Sequence, residues 1–188
     1  MNTDEQLILD FQEHENIHAF EILVERYKNQ LMNFVYRFTG DDDLSKDIVQ
    51  ETFIKVFKNR LQYKAEYKFS TWIYTIAGNL AKSELARKKQ KNQVSLSVYD
   101  NDDRKIEIPD PGASPEKIVD MEMKEKLIQE ALLKIPELYR EAVILRDIQE
   151  LSYDEIAVMM TTTVGTVKSR INRGRGLLQE LLQGIYKD

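Results

Sequence analysis

Apolar side chains recur every three or four residues along most of the chain, which is the spacing that predicts amphipathic helices. In the first part of the sequence this spacing predicts helices over residues 4–12, about 17–38, 44–58 and 70–91. In the second part it predicts helices over residues 115–134 and 137–149, and two more that begin at Ser152 and after Thr163. No convincing pair of strands with alternating apolar and polar residues is found. The sequence therefore predicts an all-α protein.

Residues 93–114 separate the two sets of helices and have no usable period. The segment is acidic and contains Asp100, Asp102, Asp103, Glu107 and Asp110. Its composition predicts an extended, mobile linker, which either stays solvated or lies in a cationic channel that otherwise holds nucleic acid. We therefore predict two small four-helix domains, residues 1–92 and residues 115–188, joined by an acidic flexible linker.

Residues 151–182 have the pattern of a helix-turn-helix unit. Ser152 and Glu155 have the spacing of a capping box, and Thr163 is a candidate N-cap for the second helix. This second helix has a small, polar and basic face opposite an apolar face formed by Val164, Val167, Ile171, Leu178 and Leu181. Helix-turn-helix proteins read duplex DNA with such a helix. The alternative is a solvated amphipathic helix that closes a bundle.

The distribution of charge favours contact with a polyanion. The chain has a formal net charge of −5, whereas residues 163–175 contain four basic residues and no acid. Residues 79–91 contain five basic residues and a single acid, Glu84. Two basic segments in an acidic chain suggest two contacts with one nucleic acid, although ordinary solvated helix faces carry similar charges.

Composition indicates the cellular compartment in which the chain is expected. The chain contains no Cys, so it has neither disulfides nor a thiolate metal site, as is common in the reducing cytoplasm. A signal peptide begins with a basic segment, whereas the first Lys or Arg of this chain is Arg26. We therefore expect no signal peptide. No apolar run approaches the roughly 20 residues that span a bilayer. We expect a cytoplasmic protein that needs no cofactor.

Aromatic and basic residues are interleaved before and within the fourth predicted helix. The loop of residues 59–69 contains Tyr67 and Phe69 among lysines, and Trp72 lies in the first turn of the helix that follows. Rings on which bases stack, next to cations that hold the backbone, are the components of a single-stranded nucleic-acid site. The alternative is that these rings belong to the core.

One short motif suggests an enzyme. Residues His14 to His18 match H-E-x-x-H, which on a single helix would offer two zinc ligands, with Glu15 as general base. Because Asn16 and the polar residues around it predict a helix break, the two imidazoles would not share one helical face. The chain has only these two His, so a third ligand would have to be a carboxylate. We expect no metal site here.

Four segments occur in a characteristic order: DIVQETFIKVFK (Asp47–Lys58), YKFSTWIYTIAGNLAKSELARKK (Tyr67–Lys89), IPELYREAVILRDIQELSYDEIA (Ile135–Ala157) and VGTVKSRINRGR (Val164–Arg175). Together they resemble bacterial RNA polymerase sigma factors of the extracytoplasmic-function (ECF) group of the sigma-70 family. In that family the first segment binds core polymerase, the second melts and reads the −10 promoter element, and the last two read the −35 element. The resemblance covers nearly the whole chain.

The resemblance implies a sigma factor rather than an enzyme, with core RNA polymerase and promoter DNA as partners and an anti-sigma factor as a further candidate partner. It implies core-polymerase contacts by Asp47, Gln50, Glu51 and Phe53. It implies contacts with the −10 strand by Tyr67, Phe69, Thr71, Trp72, Asn79, Ser83, Arg87 and Lys88. It implies contacts at the −35 element by Thr166, Lys168, Ser169, Arg170, Asn172 and Arg173, of which Thr166 and Arg170 are expected on the DNA backbone.

The chain departs from the family at the joint of the helix-turn-helix unit. The family usually has Gly where this chain has Thr161, and Thr162-Thr163 replaces an apolar residue and Pro. A β-branched residue with positive φ is strained, so we expect a slightly altered turn.

A second class of protein remains open on sequence grounds. A helix-turn-helix regulator that binds duplex DNA as a dimer would need only the C-terminal part of the chain. The aromatic and basic segment Tyr67–Lys89 distinguishes the two classes, because a reader of duplex DNA has no use for a stacking platform.

Overall fold

The computed structural model describes residues 2–94 and 115–185, and these residues form an all-α structure. The N-terminal helices are α1 (Asp4–His14), α2 (Ile17–Thr39), α3 (Asp42–Lys58) and α4 (Phe69–Val94), with a 3₁₀ turn at Arg60–Gln62. The C-terminal helices are α5 (Pro115–Lys134), α6 (Glu137–Val143), α7 (Tyr153–Met159) and α8 (Val164–Ile185). The predicted all-α fold is confirmed. The predicted linker lies outside the described residues, except that its first two residues belong to α4.

Polar residues at the ends of the first three helices set their limits. Side chains of Thr3, Asn16 and Asp41 accept hydrogen bonds from the first turns of α1, α2 and α3. Gly40 follows α2 with a φ of 72°, and its N–H donates to the carbonyl of Tyr36 at 2.8 Å. These bonds satisfy backbone groups that a helix end otherwise leaves unpaired.

Helix α2 lies at the centre of the N-terminal helices and packs against α1, α3 and α4. Its buried side chains follow the predicted spacing and include Leu23, Leu31, Phe34, Val35 and Phe38. Phe11 of α1 and Phe69 of α4 are also almost fully buried. Burial of one such side chain contributes about 1.5–3 kcal/mol, so these contacts fix α4 relative to α2.

The C-terminal helices form a second packed group in which α8 lies against α6 and α7. Close approach of α6 and α8 depends on Gly174, because a Cβ atom there would lie 2.6 Å from Cγ2 of Val143. Val167 and Ile171 of α8 are buried, and so is Ile156 of α7, the helix that packs against α8. The buried apolar face predicted for the second helix of the helix-turn-helix unit is therefore present.

The helix predicted over residues 137–149 is not one regular α-helix. Helix α6 ends at Val143, and Ile144–Ile148 form a π-helical stretch in which the N–H of Gln149 donates to the carbonyl of Ile144 at 3.0 Å. The prediction of a single α-helix is wrong for this second half. The wider turn keeps both Ile144 and Leu145 buried, and no Pro or Gly in the range signals it.

The N-terminal and C-terminal helices pack against each other. Helix α2 contacts α5 and α6, and α4 contacts α7. Buried apolar residues of both groups form one continuous cluster. Within the described ranges, no helix is long and apolar enough to cross a membrane. The candidate sites therefore lie on the surface of one packed body.

Candidate nucleic-acid and polymerase interfaces

The helix-turn-helix unit is fixed by its caps. The N–H of Glu155 donates to the Ser152 hydroxyl at 3.3 Å, and the N–H of Ser152 donates to the Glu155 carboxylate at 2.7 Å, so the predicted capping box is present. The predicted cap of α8 is present too, since the Thr163 hydroxyl accepts from the N–H of Thr166 at 3.2 Å. Both ends of the turn are thus held by local side chains.

The turn between α7 and α8 has a left-handed residue at the position where the family usually has Gly, and in this chain that residue is Thr161. Thr161 has a φ of 48°. The N–H of Thr162 donates to the carbonyl of Ala157 at 2.9 Å, and the N–H of Thr161 donates to that of Val158 at 3.2 Å. This pair of bonds is the Schellman motif, whose left-handed residue is usually Gly. Thr161 therefore has the positive φ in which a β-branched residue is strained.

The outer face of α8 carries the residues predicted to read DNA. Lys168, Ser169, Asn172 and Arg173 are exposed. They occupy neighbouring turns of one helix, and an exposed helical face of this kind fits the major groove.

The two residues predicted to lie on the DNA backbone differ from these four. Thr166 and Arg170 are half-buried. The Thr166 hydroxyl lies 3.0 Å from that of Thr163, and Arg170 lies 4.0 Å from the Met160 sulfur. Both therefore sit at the edge of the exposed face, where a contact with DNA would be peripheral.

One basic residue of α8, Arg175, forms an ion pair with an acid, and the sequence did not indicate this pair. The guanidinium of Arg175 donates to both carboxylate oxygens of Asp147, at 2.9 Å and 2.5 Å. The hydrogen bonds that Arg175 donates to Asp147 raise the pKa of Arg175. This forked pair connects α8 to the π-helical stretch, so Arg175 has a structural partner and the positive charge of the outer face comes from the other three bases.

Residues predicted to contact the −10 strand fall into two sets. Tyr67 is 49% exposed, and Asn79 and Ser83 are also exposed. Phe69 and Thr71 are 0% and 4% exposed, and this requires a revision of the expectation that they touch bases directly. Phe69 packs against Tyr27 of α2, with ring centroids 5.2 Å apart.

Trp72 lies at the boundary between these sets. It is half-buried, and its ring lies 5.4 Å from Tyr63 and 6.1 Å from Phe69, measured between centroids. Burial raises the pKa of Tyr63 to about 12, and its hydroxyl donates to the carbonyl of Tyr67 at 2.7 Å. The aromatic cluster thus supports Trp72 from one side and leaves part of its ring accessible.

Thr71 has a buried hydroxyl with no hydrogen-bond partner among the described residues. An unpaired buried hydroxyl is costly, and such groups are rare in folded proteins. Its neighbour in sequence is the half-buried Trp72.

Trp72 shares one face of α4 with two exposed polar residues. Asn79 and Ser83 follow Trp72 by seven and eleven residues, so polar and aromatic groups line one side of this helix.

The basic end of α4 is paired with carboxylates. Lys88 donates to Asp41 at 2.9 Å, Arg87 donates to Glu84 at 2.7 Å, and Lys89 bonds to Glu137 of α6. The hydrogen bond from Lys88 lowers the pKa of Asp41, and the Leu44 N–H adds to this. A phosphate that binds these cations would have to replace the carboxylates.

Helix α3 exposes the polar residues predicted to contact polymerase. Asp47, Gln50 and Glu51 are all exposed, and Phe53 is half-buried. Beside them lies an open apolar cavity of about 310 Å³ lined by Phe20, Gln50, Phe53, Ile54, Phe57 and Lys58. The sequence reasoning missed Ile54 and Phe57, which are 36% and 39% exposed. Both are large apolar residues next to the polar face of α3, and this pattern could have indicated an interaction surface.

The H-E-x-x-H match does not form a zinc-binding face. Helix α1 ends at His14, Glu15 has a φ of 52°, and Asn16 caps α2. The predicted helix break is thus confirmed. His14 lies 3.0 Å from Asp10 and His18 lies 3.3 Å from Glu21, so the two imidazoles belong to different helices and interact with different acids.

The fold and these surfaces define an all-α protein with a C-terminal helix-turn-helix unit, and comparison with known proteins specifies the family. Residues 23–91 match the family model "Sigma-70 region 2", and residues 125–178 match "Sigma-70, region 4". The chain belongs to the sigma-70 family of transcription initiation factors, in its ECF group.

Relatives of known identity align over most of the chain. The ECF RNA polymerase sigma factor SigW of Bacillus subtilis is 35% identical over 89% of this chain and 90% of its own length. The ECF RNA polymerase sigma-E factor of Haemophilus influenzae is 32% identical over 97% of both chains. These relatives are named as sigma factors for RNA polymerase, and none of these names describes an enzyme.

Solved structures share the fold. The sigma factor RpoE of Bartonella quintana, in complex with the anti-sigma factor NepR, superposes with a TM-score of 0.72 at 25% identity and covers 87% of this chain and 96% of its own. CnrH, in complex with the cytosolic domain of CnrY, has a TM-score of 0.73 at 22% identity and covers 97% of this chain and 99% of its own. The latter likeness concerns the fold alone.

Proposed function

We propose that this chain binds core RNA polymerase through α3 and directs initiation at promoters whose −10 and −35 elements it reads. The observation that carries the proposal is the exposed face of α3, where Asp47, Gln50 and Glu51 stand next to the apolar cavity between Phe53 and Phe57. An acidic and amide rim around an apolar depression suits a helical partner with basic residues and an apolar anchor. Cytoplasmic location follows from this function.

At the −10 element, Trp72 and Tyr67 are the residues suited to stack on unpaired bases. Stacking on an aromatic ring contributes about 1–3 kcal/mol per base, which is comparable to the few kcal/mol that extrusion of a base costs. Asn79 and Ser83 offer hydrogen bonds on the same face, and Arg87 and Lys88 offer charge to phosphates. Phe69 and Thr71 are buried and would support the platform from within the core.

At the −35 element, the exposed face of α8 is suited to the major groove. Lys168, Ser169, Asn172 and Arg173 would contact base edges, and Thr166 and Arg170 would contact the DNA backbone. Arg and Lys pair well with guanine, and Asn pairs well with adenine. The sigma-70 family assignment supports this proposal, and so does the partial burial of Thr166 and Arg170 at the edge of the face.

An anti-sigma factor is a further proposed partner. It is supported by the solved structure of RpoE, which is a complex with the anti-sigma factor NepR. The exposed apolar residues of α3 would need cover when the chain is not bound to polymerase.

Co-elution with purified core RNA polymerase in gel filtration tests the proposal. We expect the chain to elute with the polymerase and the double variant Gln50→Ala, Glu51→Ala to bind at least about ten-fold more weakly, a loss of ~1.4 kcal/mol. The variant Gln179→Ala, Glu180→Ala changes the same two residue types on the exposed surface of α8 and serves as matched control.

Either of two outcomes would contradict the proposal. If wild type does not co-elute but binds duplex DNA tightly by itself, a self-sufficient helix-turn-helix regulator is the better account. If both double variants bind equally well, α3 is not the polymerase-binding surface.

A further inference from the structure

Helix α1 holds both ends of the loop between α3 and α4, residues 59–68, which we call the α3–α4 loop. At the start of the loop, the side-chain amide of Gln12 donates to the carbonyls of Arg60 and Tyr63, the latter at 3.1 Å. At its end, the carboxylate of Glu5 accepts from the first N–H of α4 at 3.2 Å. Two polar side chains of α1 are therefore bonded to the backbone on either side of this loop.

The contact at Glu5 is a helix cap that comes from a distant part of the sequence. The donor is the N–H of Phe69, the first residue of α4, and a carboxylate at this end of a helix also lies at the positive end of the helix dipole. Trp72 belongs to the same first turn, and its N–H donates to the carbonyl of Lys68 at 3.3 Å. The cap therefore fixes the turn that carries Trp72.

The contact at Gln12 reaches the same ring through Tyr63. The Tyr63 hydroxyl donates to the carbonyl of Tyr67 at 2.7 Å, and the Tyr63 ring lies 5.4 Å from that of Trp72, measured between centroids. Tyr63 keeps the proton of this hydrogen bond, because burial and the negative charge of Glu5 raise its pKa to about 12. Tyr63 thus connects α1 to both rings that are proposed to stack on bases.

The two contacts lie on one side of α1. Glu5 and Gln12 are seven residues apart, which is close to two helical turns and about 10 Å along the axis. Ile8 and Phe11, which lie between them, are almost fully buried, and the guanidinium of Arg60 lies over the Phe11 ring at 5.1 Å. Because α1 is anchored in the core, it fixes the distance between the two ends of the α3–α4 loop.

Helix α1 has no assigned role in promoter reading. It ends before residues 23–91, the part of the chain that matches the Sigma-70 region 2 model. However, a loop that is ordered before DNA arrives loses less conformational entropy when it binds. Contacts from α1 can therefore strengthen the binding of an unpaired strand that α1 does not touch.

We propose that Glu5 and Gln12 are positioning residues of the −10 surface, which hold the α3–α4 loop and the first turn of α4 in the arrangement in which Tyr67 and Trp72 receive unpaired bases. The effect on promoter opening rests on the proposed function, whereas the effect on Trp72 is a property of the isolated chain. Each contact requires one kind of hydrogen-bonding group: an acceptor at position 5 and a donor at position 12.

Fluorescence of the chain tests the proposal without polymerase or DNA. Trp72 is the single Trp of the chain, so quenching by acrylamide reports the accessibility of this ring. Gln12→Glu has nearly the same shape but places a carboxylate against two carbonyls, and the quenching constant should rise about two-fold or more as the loop opens locally. Glu5→Ala should raise it too, whereas Glu5→Gln retains an acceptor and should match wild type.

Promoter opening by the holoenzyme is the second measurement. Permanganate reactivity of unpaired thymines is measured at a promoter that wild type opens, and is normalised to the amount of holoenzyme formed. Gln12→Glu should reduce opening about ten-fold and leave binding to duplex −35 DNA unchanged, and Glu5→Gln should open as wild type does. Gln12→Met has no donor and no charge, so it should behave as Gln12→Glu and covers the case that the added charge prevents folding.

Matched variants separate positioning from a general effect of charge. Glu13→Gln and Gln179→Glu make the same two substitutions at exposed positions of α1 and α8. Both should match wild type in quenching and in opening.

The outcomes distinguish this proposal from the proposed function. Wild-type quenching and opening in both Gln12 variants, or in Glu5→Ala, would overturn the positioning role, and so would a loss of opening that only parallels a loss of folded protein in circular dichroism. If wild type opens no promoter, the proposed function fails. A quenching constant that rises in Gln12→Glu but not in Glu5→Gln would still establish that α1 positions Trp72.

Discussion

Thr161 shows how one residue departs from the preference of its local backbone. It has a φ of 48°, a conformation that costs a β-branched residue about 1–3 kcal/mol. The hydrogen bonds of the Schellman motif and the cap at Thr163 retain this conformation. The strain therefore resides in the turn that sets the angle of α8.

Replacement of Thr161 by Gly should stabilise the protein. Gly adopts positive φ without strain, so we expect the free energy of unfolding to rise by roughly 1 kcal/mol. Chemical denaturation followed by circular dichroism measures the change. Thr162→Gly, at the neighbouring residue without a positive φ, should instead be destabilising. Equal effects of the two substitutions would show that Thr161 is not strained.

Trp72 carries the most specific expectation at the residue scale. Trp72→Ala should abolish promoter opening, because it removes the half-exposed ring, while binding to duplex −35 DNA is nearly unchanged. Permanganate reactivity of unpaired thymines measures opening, and a gel shift measures duplex binding. Trp72→Phe retains a stacking ring and should retain part of the activity. Loss of both activities to the same extent in Trp72→Ala would contradict the assignment of the two functions to separate surfaces.

For the helices, the sequence predicts where each one ends better than it predicts which of its side chains are buried. The capping box at Ser152 and the stop at Gly40 were predictable because both depend on local backbone bonds. The burial of Phe69 and Thr71 was not, since spacing assigns a helical face but not what packs against it. The π-helical stretch after Val143 was missed for a similar reason, as it depends on packing of Ile144 and Leu145 rather than on a Pro or Gly.

The start of α3 offers a test of capping and charge together. Asp41 accepts from the N–H of Leu44 at 3.0 Å and from Lys88 at 2.9 Å. Asp41→Ala should cost about 1 kcal/mol of stability because it removes the cap. Asp41→Asn retains the cap and loses only the ion pair with Lys88, so it should cost less. Thermal denaturation near neutral pH measures both variants.

The same site predicts a dependence on pH. The pKa of Asp41 is lowered in the folded protein, first by Lys88 and then by the Leu44 N–H. Its stabilisation is therefore fully present above the unfolded pKa of about 3.9 and is lost as the pH falls through the lower folded value. The difference in stability between wild type and Asp41→Asn should shrink below about pH 3.9. A difference that is constant from neutral pH to about pH 3 would contradict this account.

For the whole molecule, the fold class and the order of the four family segments could be predicted from the sequence. The arrangement of the two halves could not. The spacing of apolar residues and the four segments between Asp47 and Arg175 are local patterns. Contacts such as Lys82 with Glu141, or Arg140 with the end of α2, join residues far apart in sequence. Contacts of this kind follow no local pattern of residues, so the sequence does not indicate which faces meet.

If this chain selects promoters for RNA polymerase, it must determine where transcription starts, and mapping of transcription start sites measures this. Core polymerase would transcribe fragmented bacterial DNA with and without the chain, and the 5′ ends of the transcripts would be sequenced. We expect a discrete set of new start sites that share two upstream motifs at constant spacing. Substitution of Asn172 and Arg173 by Ala should affect the −35 motif alone. Start sites that are unchanged by addition of the chain would show that it does not select promoters.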